Sequence, residues 1–565
     1  MLAAGERRQP ARYEILLAGV LFALLLWLKL QSVYHYRFDS DEPQHLHIVW
    51  GWANGYVQYK DVFDNHSPLF HMLCAPLFWC LGERADVLFP MRLAMVPLYA
   101  FSIWCVFRIA SVLYSPRIGL WTAVFTAAFP KYFFESTEFR TDDLWAALWF
   151  LCLLILVSGK LTVKRAFAFG VAIGAAFGVS MKTSLLLATL LGGALVALLF
   201  RGFGAREKIA WGHLVRCGAW FLAGVVIIPG ILLGVFAFLH ALPEMYYCVI
   251  KHSIVPNSTR INALRTVGFW LKIALPFLVG ASLLVFRCSP DRTVGSRRVM
   301  MILATVFFAT ILFGYWPDVT REDYLPLCPM VALIFVPLLF LGEWTRWPWK
   351  SGHAVTQALI ILLAVGEVAV LRTSFRFGTE HTGKFIAQIA DVLRLTTKDD
   401  YVMDATGDSI YRKRPYYYAL ETFTNLRMRL GILPEDIIPK IIEKRTAVAW
   451  SNGCFDGSET RAWIAKNYLP IGDKTNHVCV AGKMLPPSAD APNRFEFDVE
   501  VPLRYVLVSD QSTEVTGTLD GIPYAGPVVL EPKHHVFQAQ KTPGPLALFW
   551  AGALEKGYSP FHPRR

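Results

Sequence analysis

Between residues 38 and 70 the chain reads FDSDEPQHLHIVWGWANGYVQYKDVFDNHSPLF, with Asp39, Asp41, Glu42, Asp61, Asp64, His45, His47 and His66. A second acidic pair, Asp142 and Asp143, follows Arg140 in ESTEFRTDDLWAALWF. Lys182 stands in GVSMKTSLLL, and Arg321, Glu322, Asp323 and Tyr324 stand in YWPDVTREDYLPLCP. Carboxylates can take a proton from an attacking hydroxyl. Lys, Arg and His can hold phosphate oxygens. All four stretches abut long apolar runs, so this chemistry would take place at a membrane face.

The apolar runs dominate the chain. Of its 565 residues 55% are hydrophobic and 17% charged, with a mean hydropathy of +0.41. Soluble domains carry about 25% charged residues. The composition therefore indicates an integral membrane protein with many spans. The first run is preceded by GERRQPAR and is followed by no small-residue cleavage site, which reads as a retained span. The net charge of +12 resides mostly in short loops between runs, as the positive-inside rule requires. No nucleic-acid motif accompanies it. Most cysteines lie in or near the apolar runs and read as packing residues; only Cys454 and Cys479 fall in the polar C-terminal part, where a disulfide is one option.

Twelve runs are candidates: 13–33, 68–81, 90–113, 117–134, 143–158, 165–181, 184–200, 214–239, 266–286, 299–316, 323–341 and 354–371. Run 68–81 is short for a span, about 21 Å as a helix, and carries Pro68, His71 and Pro76. If it does not cross, and Arg7, Arg8 and Arg12 are cytoplasmic, every basic loop falls on the cytoplasmic side. If it crosses, the later basic loops face outward. The expectation is thus about eleven spans, an N-terminus in the cytoplasm and a C-terminus outside. The acidic and basic candidates then share the outer face, in segments 34–89, 135–142, around 182 and 317–322. A sequon, Asn257-Ser258-Thr259, falls in outer loop 240–265.

Three parts are expected: a membrane domain over 1–374, an extracytoplasmic α/β domain over 375–484, and a small β-sandwich over 490–565. KFIAQIADVLRLTTKDD reads as an amphipathic helix, YVMDA as a strand, and LPEDIIPKIIEKRTAVAW as helix then strand. LPPSADAPNR reads as a linker before alternating strand patterns.

Local structure alone accounts for some of the candidates. Asp39 and Asp41 suit the start of helix PQHLHIVWGWANG, where the dipole favours negative charge. That helix is expected to lie on the membrane with Leu46, Val49 and Trp50 on its buried side and Trp50 and Trp52 at the interface. A cap would also explain Asp142 and Asp143, and snorkelling would explain Lys182. Two acidic pairs at two outer mouths, with cations at the same depth, point further, to an amphiphile with an anionic headgroup.

In order and in topology these residues resemble the GT-C glycosyltransferases, in the branch of the protein O-mannosyltransferases and the lipid A aminoarabinose transferase. The resemblance runs over about residues 10 to 375. It rests on Asp41-Glu42 after the first span, then His66, Pro68 and Leu69, then Arg140 and Asp142, then Gly178 and Lys182, then Arg321, Tyr324, Leu325 and Pro326. Asn65-His66-Ser67-Pro68 stands where relatives often have a basic residue beside prolines. The β-rich end is outside the family core.

The resemblance implies transfer of a sugar from a polyprenyl-phosphate carrier to a glycan, lipid or protein acceptor, with inversion at the anomeric carbon. Asp41 would be the general base. Asp142 would orient the acceptor or, with Glu42, hold a divalent metal. Arg140, Asp143, His66, Lys182, Arg321 and Tyr324 would bind substrate, the last four at the donor phosphate. The absence of a GxxxxGK[ST] loop suits a lipid-linked donor. A glycan polymerase or ligase is the neighbouring alternative. A transporter or flippase is the more distant one; it would place its charges near mid-membrane in paired halves. Short loops and the retained N-terminus suggest a bacterial inner membrane and a periplasmic C-terminal part.

Overall fold

The first helix, α1, runs from Arg12 to His35 and is long enough to cross a bilayer. The protein is seen here as a computed structural model. It describes residues 9–202, 210–255, 263–275, 277–279, 281, 292–314, 320–340, 352–374, 382–453, 459–472, 476–486, 491–510, 515–541 and 544–561. Cys454, the 257–259 sequon, residues 487–490 of the linker and parts of the basic loops lie outside the described residues.

α1 is followed by α2 (Asp41–Ala53), α3 (Leu69–Leu81), α4 (Leu88–Leu93) and α5 (Val96–Leu113). Next come α6 (Pro116–Ala128), α7 (Pro130–Glu135), α8 (Thr141–Val157), α9 (Val163–Val179), α10 (Thr183–Gly202) and α11 (Trp211–Phe238). Helices Arg292–Gly314, Tyr324–Leu339 and Gly352–Ser374 complete the apolar part. Among the described residues, five helices are long and apolar enough to span: Arg12–His35, Leu88–Leu113, Trp211–Phe238, Thr293–Gly314 and Val355–Ser374. Leu69–Leu81, Thr183–Leu199 and Tyr324–Leu339 are shorter apolar helices. α3 has 13 residues, about 20 Å, well under a hydrocarbon core of about 30 Å. Pro130 divides the run expected over 117–134 into α6 and α7, because proline cannot donate within a continuing helix.

Two devices hold the helices and their connecting segments in place. Glycines let α9 and α11 approach closely: a Cβ at Gly170 or Gly174 would run into the carbonyls of Phe221 and Val225. Buried Lys29 of α1 donates to the Phe133 carbonyl at 2.6 Å, Ser136 Oγ at 2.8 Å and Thr137 Oγ1 at 2.9 Å. That lysine therefore ties α1 to the segment leading into α8.

The C-terminal part begins with helix Gly383–Leu395. Its strands are β1 (Val402–Met403), β2 (Val448–Trp450), β3 (Tyr468–Pro470), β4 (Val478–Leu485), β5 (Arg494–Asp498) and β6 (Leu503–Ser509). β7 (Gly517–Leu519), β8 (Ile522–Tyr524), β9 (Val528–Leu530), β10 (His534–Ala539) and β11 (Leu546–Trp550) follow. The order β1-β2-β4-β11-β6-β9 makes one sheet, with β3 on β4; β5-β10-β7-β8 makes a second. β4 pairs with β11 in the register Leu546↔Leu485. The expected division between 375–484 and 490–565 meets a continuous sheet. One sheet crosses it, and Leu485, Phe495, Phe497, Leu507, Phe537 and Leu548 share one buried cluster. The linker changes local composition, but strand pairing is decided by partners far apart in sequence.

The C-terminal part is docked on the segment that follows α1. β1 and β2 are parallel, and loops beyond the carboxyl ends of parallel strands commonly form binding edges. Here the loop after β1 reaches α2: His47 Nδ1 lies 2.8 Å from the Ile410 carbonyl. The Gly407 backbone has a φ of +111°, and a Cβ there would sit 2.8 Å from His47 Cβ. Phe38 stacks on Phe385 with ring centroids 3.9 Å apart. α2 is thus covered by the C-terminal part. Leu46, Val49 and Trp50 are buried as expected, but Trp50 stacks on His47 and is no interface anchor. Trp52 donates to Gln58 Oε1 at 2.8 Å.

Candidate active site

The adjacent carboxylates at the start of α2 go to opposite sides, since neighbours on a helix are about 100° apart. Asp41 faces the mouth, with its side chain 40% exposed. Glu42 is fully buried. Arg92 holds it through Nε at 2.7 Å and Nη2 at 2.5 Å. The Phe139 N–H donates to Glu42 Oε1 at 2.8 Å. Arg92 also donates to the carbonyls of Val33, Tyr36 and Arg37. Glu42, expected from sequence to act beside Asp41, thus makes bracing contacts that tie α1, α2 and the α8 entrance together. Among the described residues no three His, Cys, Asp or Glu side chains converge in a way that could hold a metal ion.

Arg140 is the hub of the mouth. Its Nη1 lies 2.8 Å from Asp39 Oδ1, and its Nη2 lies 2.7 Å from Asp41 Oδ2 and 2.8 Å from Glu322 Oε1. Asp142 sits more loosely, 3.7 Å from Arg140 Nε and 3.6 Å from Lys182 Nζ. Lys182 Nζ also donates to Asp323 Oδ1 at 2.7 Å. Three connecting segments and the α9–α10 turn thus meet around two cations. Glu322 and Asp323, which were not assigned a role from sequence, belong to this group; their place beside Arg321 was the available signal. Burial pushes Glu322 above the usual carboxylate range, and Arg140 works against it. The Lys182 ammonium loses hydration on burial, yet Asp142, Asp323 and Glu322 hold its pKa above the ordinary lysine value. Nearby, burial and then the charges of Glu42, Asp39 and Glu135 push Glu138 up to about 9, so it is protonated at neutral pH.

The second acidic pair also divides. Both are buried, but their partners differ: Asp142 joins Arg140 and Lys182, whereas Asp143 has Lys29 as its strongest opposing charge. Asp143, expected from sequence to bind substrate, thus lies on the Lys29 side of the pair. Arg321 is exposed and within electrostatic reach of Glu135. The Tyr324 ring lies beneath the Lys131 ammonium, 4.8 Å from the ring centroid.

His66 closes the first loop at the edge of the mouth. Its Nδ1 lies 2.8 Å from Asp64 Oδ1, and its side chain is 31% exposed while Asp64 is fully buried. Gln58 Nε2 donates to Asp64 Oδ2 at 2.6 Å. His71 Nδ1 is 3.5 Å from the same oxygen, and His71 Nε2 is 3.0 Å from His45 Nδ1. Burial opposes charge on His66, but Asp64, Asp142 and Asp41 raise its pKa above the ordinary histidine value. Burial, with His66, His71 and Arg140 nearby, holds His45 well below that value, so it is neutral. Asp64, His45 and His71 were missed as a group because they come together only in three dimensions.

An apolar cavity of about 460 Å³ opens beside these residues, lined by Ser67, Pro68, Gly178, Met181, Leu232 and Met245 among others. Its polar neighbours along the chain are His66 and Lys182. Added side-chain bulk at Gly178 would press on Leu232 and Leu69, which accounts for a glycine four residues before Lys182.

Comparison with known structures then decides the architecture. The chain is similar to ArnT from Cupriavidus metallidurans in the apo state, with a TM-score of 0.57, 14% identity, and coverage of 83% of this chain and 97% of that chain. It has the GT-C fold. The structure of the same ArnT bound to undecaprenyl phosphate aligns with a TM-score of 0.55 at 15% identity, over 83% of this chain and 97% of that one. Residues 65–217 match the family model of dolichyl-phosphate-mannose-protein mannosyltransferases. That interval contains His66, Arg140, Asp142 and Lys182 and ends before the segment bearing Glu322 and Asp323. No curated protein sequence matches the chain. On this GT-C fold, the Asp41–Arg140–Asp142–Lys182 group lies where the segment after α1, the segment before α8 and the α9–α10 turn meet.

Proposed function

We propose that the protein is a membrane glycosyltransferase that moves a sugar from a polyprenyl-phosphate carrier to an acceptor at the outer face of the membrane. One observation carries this reading. An exposed carboxylate, Asp41, is held by Arg140 in the same mouth as His66 and Lys182, whose chain neighbours Ser67 and Met181 line an apolar cavity of about 460 Å³. A prenyl chain suits the cavity, and its phosphate suits the cations. The matched mannosyltransferase family and the undecaprenyl phosphate bound by ArnT agree with that chemistry.

In the reaction, the acceptor oxygen forms a bond to the anomeric carbon as the bond from that carbon to the phosphate oxygen breaks. Asp41 takes the acceptor proton. The electron pair stays on the departing polyprenyl phosphate, where Lys182 and His66 stabilise the charge. Arg140 fixes Asp41 at one end of that line, and Asp142 orients the acceptor. Direct displacement inverts the anomeric centre. The C-terminal part would then be periplasmic in a bacterial inner membrane, with the N-terminus cytoplasmic.

The test is transfer from radiolabelled polyprenyl-phosphate sugars in membranes, comparing the native protein with Asp41→Asn and Asp142→Asn. Transfer should occur, and both variants should lose it while still inserting and folding. Retention of more than a few per cent of transfer in Asp41→Asn overturns the base assignment.

A further inference from the structure

We propose that Asp64 is a positioning residue for this reaction: it fixes the His66 ring through Nδ1, so that Nε2–H is offered to the donor phosphate as part of an imidazolium. The inference rests on the glycosyltransferase reading above and extends it to a network that no local motif marks.

The geometry is specific. An ionised carboxylate only accepts, so the 2.8 Å contact from Asp64 Oδ1 requires His66 Nδ1 to donate. Asp64 cannot swing away. Gln58 donates to its other oxygen at 2.6 Å, and Trp52 in turn holds Gln58 at 2.8 Å. The His66 backbone is pinned as well, its carbonyl accepting from Tyr59 Oη at 2.6 Å. The buried member of the pair is the carboxylate and the exposed member is the imidazole, so the dyad presents its charge outward.

Protonation decides what His66 can do. As an imidazolium it donates from both nitrogens; as neutral imidazole held at Nδ1, its Nε2 carries a lone pair that repels a phosphate oxygen. The groups around it are mixed. Asp41 and His45 face it from α2, His71 from α3, Asp142 from α8 and Arg140 from the α8 entrance. Asp64 is the carboxylate in contact, and burial works against the charge. Because the folded-state pKa of His66 is raised, its contribution to phosphate binding is complete at low pH. It is lost as pH rises through that raised value.

The test uses farnesyl phosphate as probe, with farnesol as its uncharged control, and measures binding to the purified full chain from about pH 6 to about pH 9. Native protein should bind farnesyl phosphate more tightly than farnesol and lose that preference at the alkaline end. Asp64→Asn can still accept from Nδ1–H but removes the negative charge, so the alkaline limb should move down by about one pH unit or more. His66→Gln, at a half-buried position, should weaken binding and abolish the limb. The phosphate's own titration is common to all variants and cancels in the comparison. An unshifted limb in Asp64→Asn overturns the proposal. Should that variant not fold, a limb that persists in His66→Gln overturns it equally. A native protein that never distinguishes farnesyl phosphate from farnesol instead overturns the donor reading.

Discussion

Replacing Arg140 is the most demanding perturbation of the site. Its Nη1 and Nη2 serve different carboxylates, Asp39 on one side and Asp41 with Glu322 on the other. The Arg140 side chain is 6% exposed, whereas Asp39 and Glu322 are 16% and 11% exposed, so most of the interaction is sheltered from water. Removing one member of such a buried set costs about 3–5 kcal/mol, chiefly because its partners are left uncompensated. The open position of Asp41 places Arg140→Gln toward the lower end of that range, about two decades in the folding equilibrium. The stranded carboxylates would have raised pKa values in the folded state. Their penalty is relieved at low pH and grows as pH rises through those values, so Arg140→Gln should lose more stability at pH 8 than at pH 5. Arg140→Lys restores one charge but cannot span both sides of the fork. It should fold better than Arg140→Gln yet transfer sugar at least about 100-fold more slowly, because Asp41 is no longer held in line. The assays are thermal unfolding in detergent at both pH values and the initial rate of transfer from labelled carrier. Native stability at pH 8 together with native transfer in Arg140→Gln would refute the hub.

Two further outcomes separate support from chemistry. Glu42→Gln leaves fully buried Arg92 without its counter-charge and should cost about 3–5 kcal/mol of stability. Transfer per folded molecule should fall far less than in Asp41→Asn, as thermal unfolding and normalised rates will show. Gly407→Ala forces alanine into a φ of +111° and presses it against His47, a strain of about 1–3 kcal/mol. Transfer should drop more than thermal stability does, and proteolysis between the membrane and C-terminal parts should accelerate. Unchanged cleavage with unchanged transfer would mean that this contact does not set α2.

Several features were determined by sequence alone because their causes are local. Apolar runs show which segments avoid water, and Pro68, Pro76 and a length of about 20 Å distinguish α3 from a full span. The strand and helix patterns of the C-terminal part follow from periodicity over a few residues. Asp41, Arg140, Asp142, Lys182 and His66 were recognisable because charge at an apolar boundary is costly and therefore conspicuous. Tertiary structure decided which of the candidates face substrate. The helical turn sends Asp41 to the mouth and Glu42 into the interior, and it gives Asp142 and Asp143, both buried, different partners. Glu42 finds Arg92 50 positions along the chain, and Arg140 finds Glu322 182 positions along. His47 meets Ile410 across 363 positions, which covers α2 with the C-terminal part. The β4–β11 pairing likewise unites parts that the linker appeared to divide. Local sequence records where a charge stands along the chain. Its partner, and with it the difference between a brace and a base, is set by long-range packing that closes only when the whole chain has folded.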